Sequence, residues 1–223
     1  MNVLSREVKS NQTGIHNNLK TVVQKHLNSQ SLRPIAAHTE IAFQNFVQHY
    51  KGQALIFDSG CGTARSSLML ALKYPNALVV GIDKSAARLE KFNNRYRDDV
   101  LKNASNLHIV RADYEDFLKI AAREKLKLSK HKLLYPNPWP KSQHLQRRWH
   151  GSAIFKTLLG LGGEIELRSN WKIYVQEFQQ ALLVAGHQAT IHQLSLDKDN
   201  FISDFEQKYH KSQQTLWQLR CQL

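Results

Sequence analysis

Apolar positions follow two periods along this chain. In the polar first fifty residues, Leu19, Val22, Val23 and Leu27 recur at helical spacing and Pro34 breaks the run, so residues 1–50 read as an N-terminal arm plus a helix. From Ala54 the pattern changes to strand, turn and helix, repeated: ALIFD, TARSSLMLALKY, ALVVGID, then a charged helix over residues 85–97. Further strands are expected over 107–112, 132–135, 164–168, 188–196 and 215–222, with helices near 114–122, 147–159 and 171–185. Such alternation predicts a parallel sheet with crossover helices. The last two strands lack a helical pattern between them, so an antiparallel hairpin across 197–214 is expected. The fold class is therefore α/β and Rossmann-like: a mostly parallel seven-stranded sheet, a C-terminal antiparallel hairpin and helices on both faces, with residues 51–223 as one domain.

Composition narrows the function classes. The 223 residues are 42% hydrophobic and 22% charged, which suits a soluble globular protein. No apolar run reaches the length of a membrane span, and the N-terminus lacks the apolar stretch of a secretion signal, so a cytoplasmic protein with no membrane partner is expected. Cys61 and Cys221 are the only cysteines and the histidines show no ligand spacing, so neither a disulfide framework nor a metal site is expected. Lys and Arg number 31 against 18 Asp and Glu, a formal charge of +13 that favours a polyanionic partner, nucleic acid foremost. A monomer is expected.

The first strand runs into Asp58-Ser59-Gly60-Cys61-Gly62-Thr63-Ala64-Arg65, a glycine turn that lets a ligand approach the backbone before a helix. A dinucleotide fingerprint would place a third glycine where Arg65 stands. The acid-first form suits S-adenosylmethionine, whose sulfonium and ammonium are welcome beside the Asp58 carboxylate where a phosphate would be repelled. Asp83, closing ALVVGID, is placed for two ribose hydroxyls, and Asp113, after LHIVRA, for the adenine amino group.

The next strand end reads LLYPNPWPKSQHLQRRWHG, a proline-rich turn presenting Asn137 and Trp139 ahead of a basic segment. Lys141, His144, Arg147 and Arg148, interleaved with Trp139 and Trp149, suit phosphates and stacked bases. Two cations opening a helix oppose its dipole unless an anion is near. The cluster over residues 123–132 and the N-terminal Arg6, Lys9, His16 and Lys20 are further basic surface.

These motifs, with the ADYEDF turn, GGEIELRSNWKIY and the closing SDFEQKYHKSQQTLWQL, resemble in order those of the TrmB family of bacterial tRNA (guanine-N7) methyltransferases from about Ala54 to Leu219. The resemblance implies the class I methyltransferase form of the fold, S-adenosylmethionine as cofactor and tRNA as partner. It implies cofactor positions at Asp58, Gly60, Gly62, Asp83, Asp113 and Asn137, and catalytic roles for Asn137 and Asn170. Substrate positions would be Lys141, Asn170, Ser203, Asp204, Phe205 and Glu206, and RNA contacts Gln143, His144, Arg147 and Arg148.

Two family carboxylates are amides here, Asn137 and Asn170, and the usual Thr-Lys-x-Glu reads Ser203-Asp204-Phe205-Glu206. Guanine N7 is already nucleophilic at neutral pH, so its methylation needs alignment and a dry site more than a strong base. Asn137-Pro138-Trp139 also resembles, approximately, the Asn-Pro-Pro-Tyr grip of amino-methyltransferases on an exocyclic amine. Three readings follow: guanine-N7 transfer, transfer to a different acceptor, or a cofactor- and RNA-binding homologue with weak turnover.

Overall fold

The computed structural model describes residues 5–29, 31, 33–96, 102–196 and 200–223. Seven strands form one sheet: β1 (Ala54–Ser59), β2 (Ala77–Asp83), β3 (Leu107–Arg111), β4 (Lys130–Leu134), β5 (Glu164–Ser169), β6 (Ala189–Gln193) and β7 (Trp217–Gln222). Their spatial order is β3-β2-β1-β4-β5-β7-β6, with β7 antiparallel to both neighbours and the other pairs parallel. The described helices are α1 (Leu19–Leu27), α2 (Ala37–Val47), α3 (Arg65–Lys73), α4 (Ala86–Arg95), α5 (Tyr114–Arg123), α6 (Ile154–Leu161), α7 (Lys172–Val184) and α8 (Asp204–Lys211). The expected α/β sheet with its antiparallel end is present.

Strand alternation feeds two cores. Leu55, Phe57, Leu78, Val80 and Ile82 pack to one side with Phe43, Phe46, Phe117 and Leu158, while Ile56 and Val79 pack to the other with Leu68, Ala71 and Phe92. Central parallel strands covered on both faces must be apolar throughout, and β2 is buried at every position. Both helices of the first fifty residues join the larger core through Leu19, Val23, Phe43 and Phe46. Strand order reverses between β1 and β4, which opens a crevice at their carboxyl ends.

Four local expectations change. Residues 147–159 are not one helix: two 3-10 turns, Ser142–Arg147 and Trp149–Gly151, precede α6, because Gly151 packs against the Leu145 backbone and Arg148 turns inward. The hairpin connection is not helix-free, since Ser203 caps α8 by accepting from the Glu206 amide at 3.1 Å. Strand β4 starts at Lys130 rather than 132, because Lys130 and Lys132 lie opposite Glu164 and Glu166 of β5 and pair with them. Helix α2 follows Pro34 unannounced. Residue 97 of the helix expected over 85–97 and residues 197–199 of the expected hairpin lie outside the described residues.

Candidate active site

A cavity of about 460 Å³ occupies the crevice. Its floor is the glycine loop and Asp83; its walls are Tyr114 and Trp149 on one side and the proline-rich turn, with Tyr135, Asn137 and Trp139, on the other. The Tyr114 and Trp149 rings stack with centroids 4.5 Å apart. Gly60 and Gly62 hold φ of 79° and 62°, the left-handed region that glycine enters without penalty. A second cavity of about 250 Å³ adjoins it, sharing Gly60, Arg88, Leu134 and Phe205, and takes in Gly62, Ser203 and Asp204.

The three expected cofactor acids part company here. Asp83 lines the cavity: its Oδ2 accepts from the Gly62 amide at 2.9 Å, and its Oδ1 accepts from the Ser85 amide at 2.8 Å and meets Arg88 at 3.1 Å. Asp58, by contrast, is buried and does not line the cavity. Its carboxylate points beneath the loop and accepts from the Ser66 and Ser67 hydroxyls at 2.5 and 2.7 Å. Asp113 caps α5 through the Glu115 amide at 3.0 Å and pairs with Arg33, while its neighbour Tyr114 takes the cavity wall.

Burial pushes the Asp58 carboxyl up to about 6, against the pull of the two serine hydroxyls. A carboxyl raised on folding costs nothing below its ordinary 3.8, where both states are protonated; the cost grows as pH climbs to about 6 and persists above. Asp58→Asn keeps an oxygen to accept from both serines. Relative to the parent it is expected to gain roughly 2 kcal/mol between pH 4 and pH 7.5, read by urea unfolding at both values. An identical difference at the two pH values would refute the assignment.

The proline-rich turn is strained and heavily anchored. Tyr135 and Trp139 hold φ of 54° and 46°, a region that bulky residues rarely enter and that clusters at functional sites. The Asn137 Oδ1 accepts from the Trp139 amide at 3.3 Å, and the residue is exposed at the cavity mouth. Beneath it, the Tyr135 hydroxyl donates to Glu206 at 2.7 Å, and Arg168 bridges Glu206 to Glu166, which pairs with Lys132 at 2.7 Å. Burial raises the Glu166 carboxyl, but Arg168 and Lys132 outweigh it and hold it at about 2.

Several expected substrate residues serve this scaffold instead. Glu206 is fully buried and also accepts from the Ile202 amide at 3.0 Å. Asp204 accepts from Thr63 at 2.7 Å and pairs with Arg65 and Arg95, tying α8 to the glycine loop. Asn170 donates to Gln214 at 2.8 Å, and Gln214 holds the Ser5 carbonyl. Phe205 alone of this group is an exposed wall of the main cavity. Of the RNA-facing set, Gln143 and Arg147 are exposed, as is the substrate position Lys141, and the Arg147 guanidinium lies 4.8 Å over the Trp139 ring. Desolvation and the charges of Arg147 and Lys141 lower the His144 pKa. Arg148 corrects the sequence reading, for its side chain is fully buried against Glu177.

Sequence reasoning missed Lys84, Arg88 and Tyr209 as cavity residues and read Tyr114 only as part of a turn. Lys84 and Tyr114 each directly follow an expected acid, a signal that was available; Arg88 and Tyr209 required the packing of α4 and α8. Among the described residues no His, Cys, Asp and Glu group is arranged to hold a metal, and no helix is long and apolar enough to cross a membrane.

Residues 52–219 match the family described as "Putative methyltransferase". A tRNA (guanine-N(7)-)-methyltransferase of Mycoplasma genitalium is 25% identical over 167 residues, 70% of this chain and 77% of that protein. One from Staphylococcus epidermidis is 22% identical over 178 residues, 77% of this chain and 80% of that protein. The solved structure of the 16S rRNA methyltransferase KamB matches with a TM-score of 0.59 at 17% identity, covering 86% of this chain and 95% of that one, a likeness of fold. Since the family match spans most of its length, the chain belongs to this methyltransferase family, as a divergent member of the TrmB type.

Proposed function

We propose that this protein transfers a methyl group from S-adenosylmethionine to N7 of a guanine in tRNA. The observation that carries the reading is one cavity that brings Asp83 and the glycine loop to face Asn137 and Trp139, in a chain of this family. The residues fit the cofactor. A carboxylate has room for about four hydrogen bonds, and Asp83 uses two, to the Gly62 and Ser85 amides, while its ion pair with the half-exposed Arg88 can yield to a ribose hydroxyl. Aromatic walls suit both an adenine and a sulfonium. S-adenosylmethionine, when bound, supplies an electrophilic methyl group.

The chain's own task is alignment. Guanine presents N7 and O6, both acceptors, on one edge. The Asn137 amide offers an N–H₂ donor for O6 that a carboxylate lacks, while Trp139 and Phe205 offer faces for the base. Lys141, Gln143 and Arg147, exposed beside the turn, suit the RNA backbone. On this reading the protein acts as a monomer in the cytoplasm, and its net charge supports a polyanionic substrate.

The test is labelled S-adenosylmethionine with unmodified tRNA, followed by digestion and mass identification of the nucleoside. 7-Methylguanosine is expected; a different methylated base, or cofactor binding without transfer, overturns the reading. Two variants separate the amides. Asn137→Ala is expected to lower kcat about 100-fold through lost alignment. Asn170→Asp, which removes the donor to Gln214, is expected to leave kcat within about 3-fold of the parent. Equal losses would show that Asn170 also reaches the substrate.

A further inference from the structure

Arg148 and Glu177 form an ion pair with both side chains fully buried. Taking both charges out of water is expensive, and an apolar pair of similar size is often at least as stable, so the pair calls for a role beyond stability. Its hydrogen bonds indicate one. The Arg148 Nε and Nη2 donate to the Trp139 carbonyl at 3.3 and 3.1 Å, and Nη2 also reaches the Lys141 carbonyl at 3.3 Å and the Gln12 Oε1 at 3.0 Å. One guanidinium thus grips the carbonyls on both sides of Pro140. It lies 4.9 Å over the Trp171 ring.

Glu177 holds that guanidinium in place. It accepts from Arg148, from Gln12 Nε2, from the His16 amide at 2.9 Å, and lies 3.0 Å from His150 Nε2. Burial raises its carboxyl, but His150 and Arg148 bring it down to about 2, so it is ionised throughout the working range. The N-terminal arm closes the other side: Ser10 donates to the Pro140 carbonyl at 2.5 Å, and Asn11 accepts from the Ser142 amide at 3.0 Å. Three consecutive arm residues therefore bind the turn or its anchor.

Resting on the proposed role of that turn, we infer that Arg148 is a positioning residue for methyl transfer: with Glu177 and residues 10–12 it clamps the turn 136–141 so that Asn137 and the left-handed Trp139 face the cavity. It acts through backbone carbonyls and touches neither substrate nor cofactor. Lysine cannot replace it, because a single ammonium lacks the planar fork that spans two carbonyls and a carboxylate.

The test compares the full-length parent with Arg148→Lys and Gln12→Ala by hydrogen–deuterium exchange and by methyl-transfer kinetics. In Arg148→Lys the amides of Asn137, Trp139, Lys141 and Ser142 are expected to exchange at least about 10-fold faster while β1 and β4 are unchanged. Its kcat is expected to fall about 100-fold while KM for S-adenosylmethionine stays within about 2-fold, a split that loss of fold would not give. Gln12→Ala, changed only on the arm, is expected to move both readouts the same way by about 5-fold, and it decides the matter if Arg148→Lys does not fold. Unchanged exchange in the turn, or faster exchange with unchanged kcat, overturns the inference. If the parent transfers nothing to guanine, the proposed function fails, yet the exchange experiment still reads the clamp.

Discussion

Asp83→Ala is expected to weaken S-adenosylmethionine binding about 100-fold, a loss of about 2.7 kcal/mol by calorimetry, with the fold retained. Two effects add. The carboxylate lost from the cavity floor is the one acid among the three expected ones that faces the ligand space. The Gly62 and Ser85 amides, from which it accepts at 2.9 and 2.8 Å, lose their partner, so the glycine loop loses one of its ties to the end of β2 and keeps those of Gly60 and Cys61 to the Ile82 carbonyl. A hydrogen bond to a charged group contributes about 1.5–3 kcal/mol, which sets the scale. Asp113→Ala, which removes a helix cap, is the comparison: its cost of about 1 kcal/mol should appear in stability rather than affinity. Equal affinities for the parent and Asp83→Ala would move the cofactor elsewhere.

Gly151→Ala is expected to destabilise the protein by about 3 kcal/mol and lower Tm by roughly 10 °C. A methyl group there would overlap the Leu145 carbonyl oxygen and sit 2.8 Å from the carbonyl carbon. Backbone cannot rotate aside as a flexible side chain can, so the first 3-10 turn would have to move, carrying Arg148 and the proline-rich turn with it. Gly160→Ala, in α6 with open space where its methyl would point, is the control and should stabilise by about 0.5–1 kcal/mol. A Gly151→Ala protein as stable as the parent would mean that the 3-10 segment yields freely, contrary to its close packing.

Local rules made much of this protein legible from residue order. Continuous apolar runs and helical spacing marked the sheet and most helices, because burial on both faces produces the first and burial on one face the second. The glycine turn and the acids at strand ends marked the cofactor crevice, since a parallel sheet puts those ends together whatever the remaining chain does. The run from Pro136 to Lys141 marked the opposite wall, and the resemblance of motif order supplied the methyltransferase family.

What the sequence could not order was which polar groups face the ligand and which face the protein. Asp58 lies one step from Phe57 on a pleated strand and therefore points to the α3 side, where Ser66 and Ser67 receive it. Arg148 follows an exposed Arg147 and reads the same in sequence, yet it turns to Glu177, 29 residues on, and to Gln12, 136 residues back. Helix α8 was hidden in a polar segment because its anchor, Glu206, is satisfied by Tyr135, just beyond β4, and Arg168 of β5, both distant in sequence. Periodicity is fixed by the chain's own geometry, so sequence determines it; the direction of a charge is fixed by a partner that only folding brings near, so the tertiary structure alone decided it.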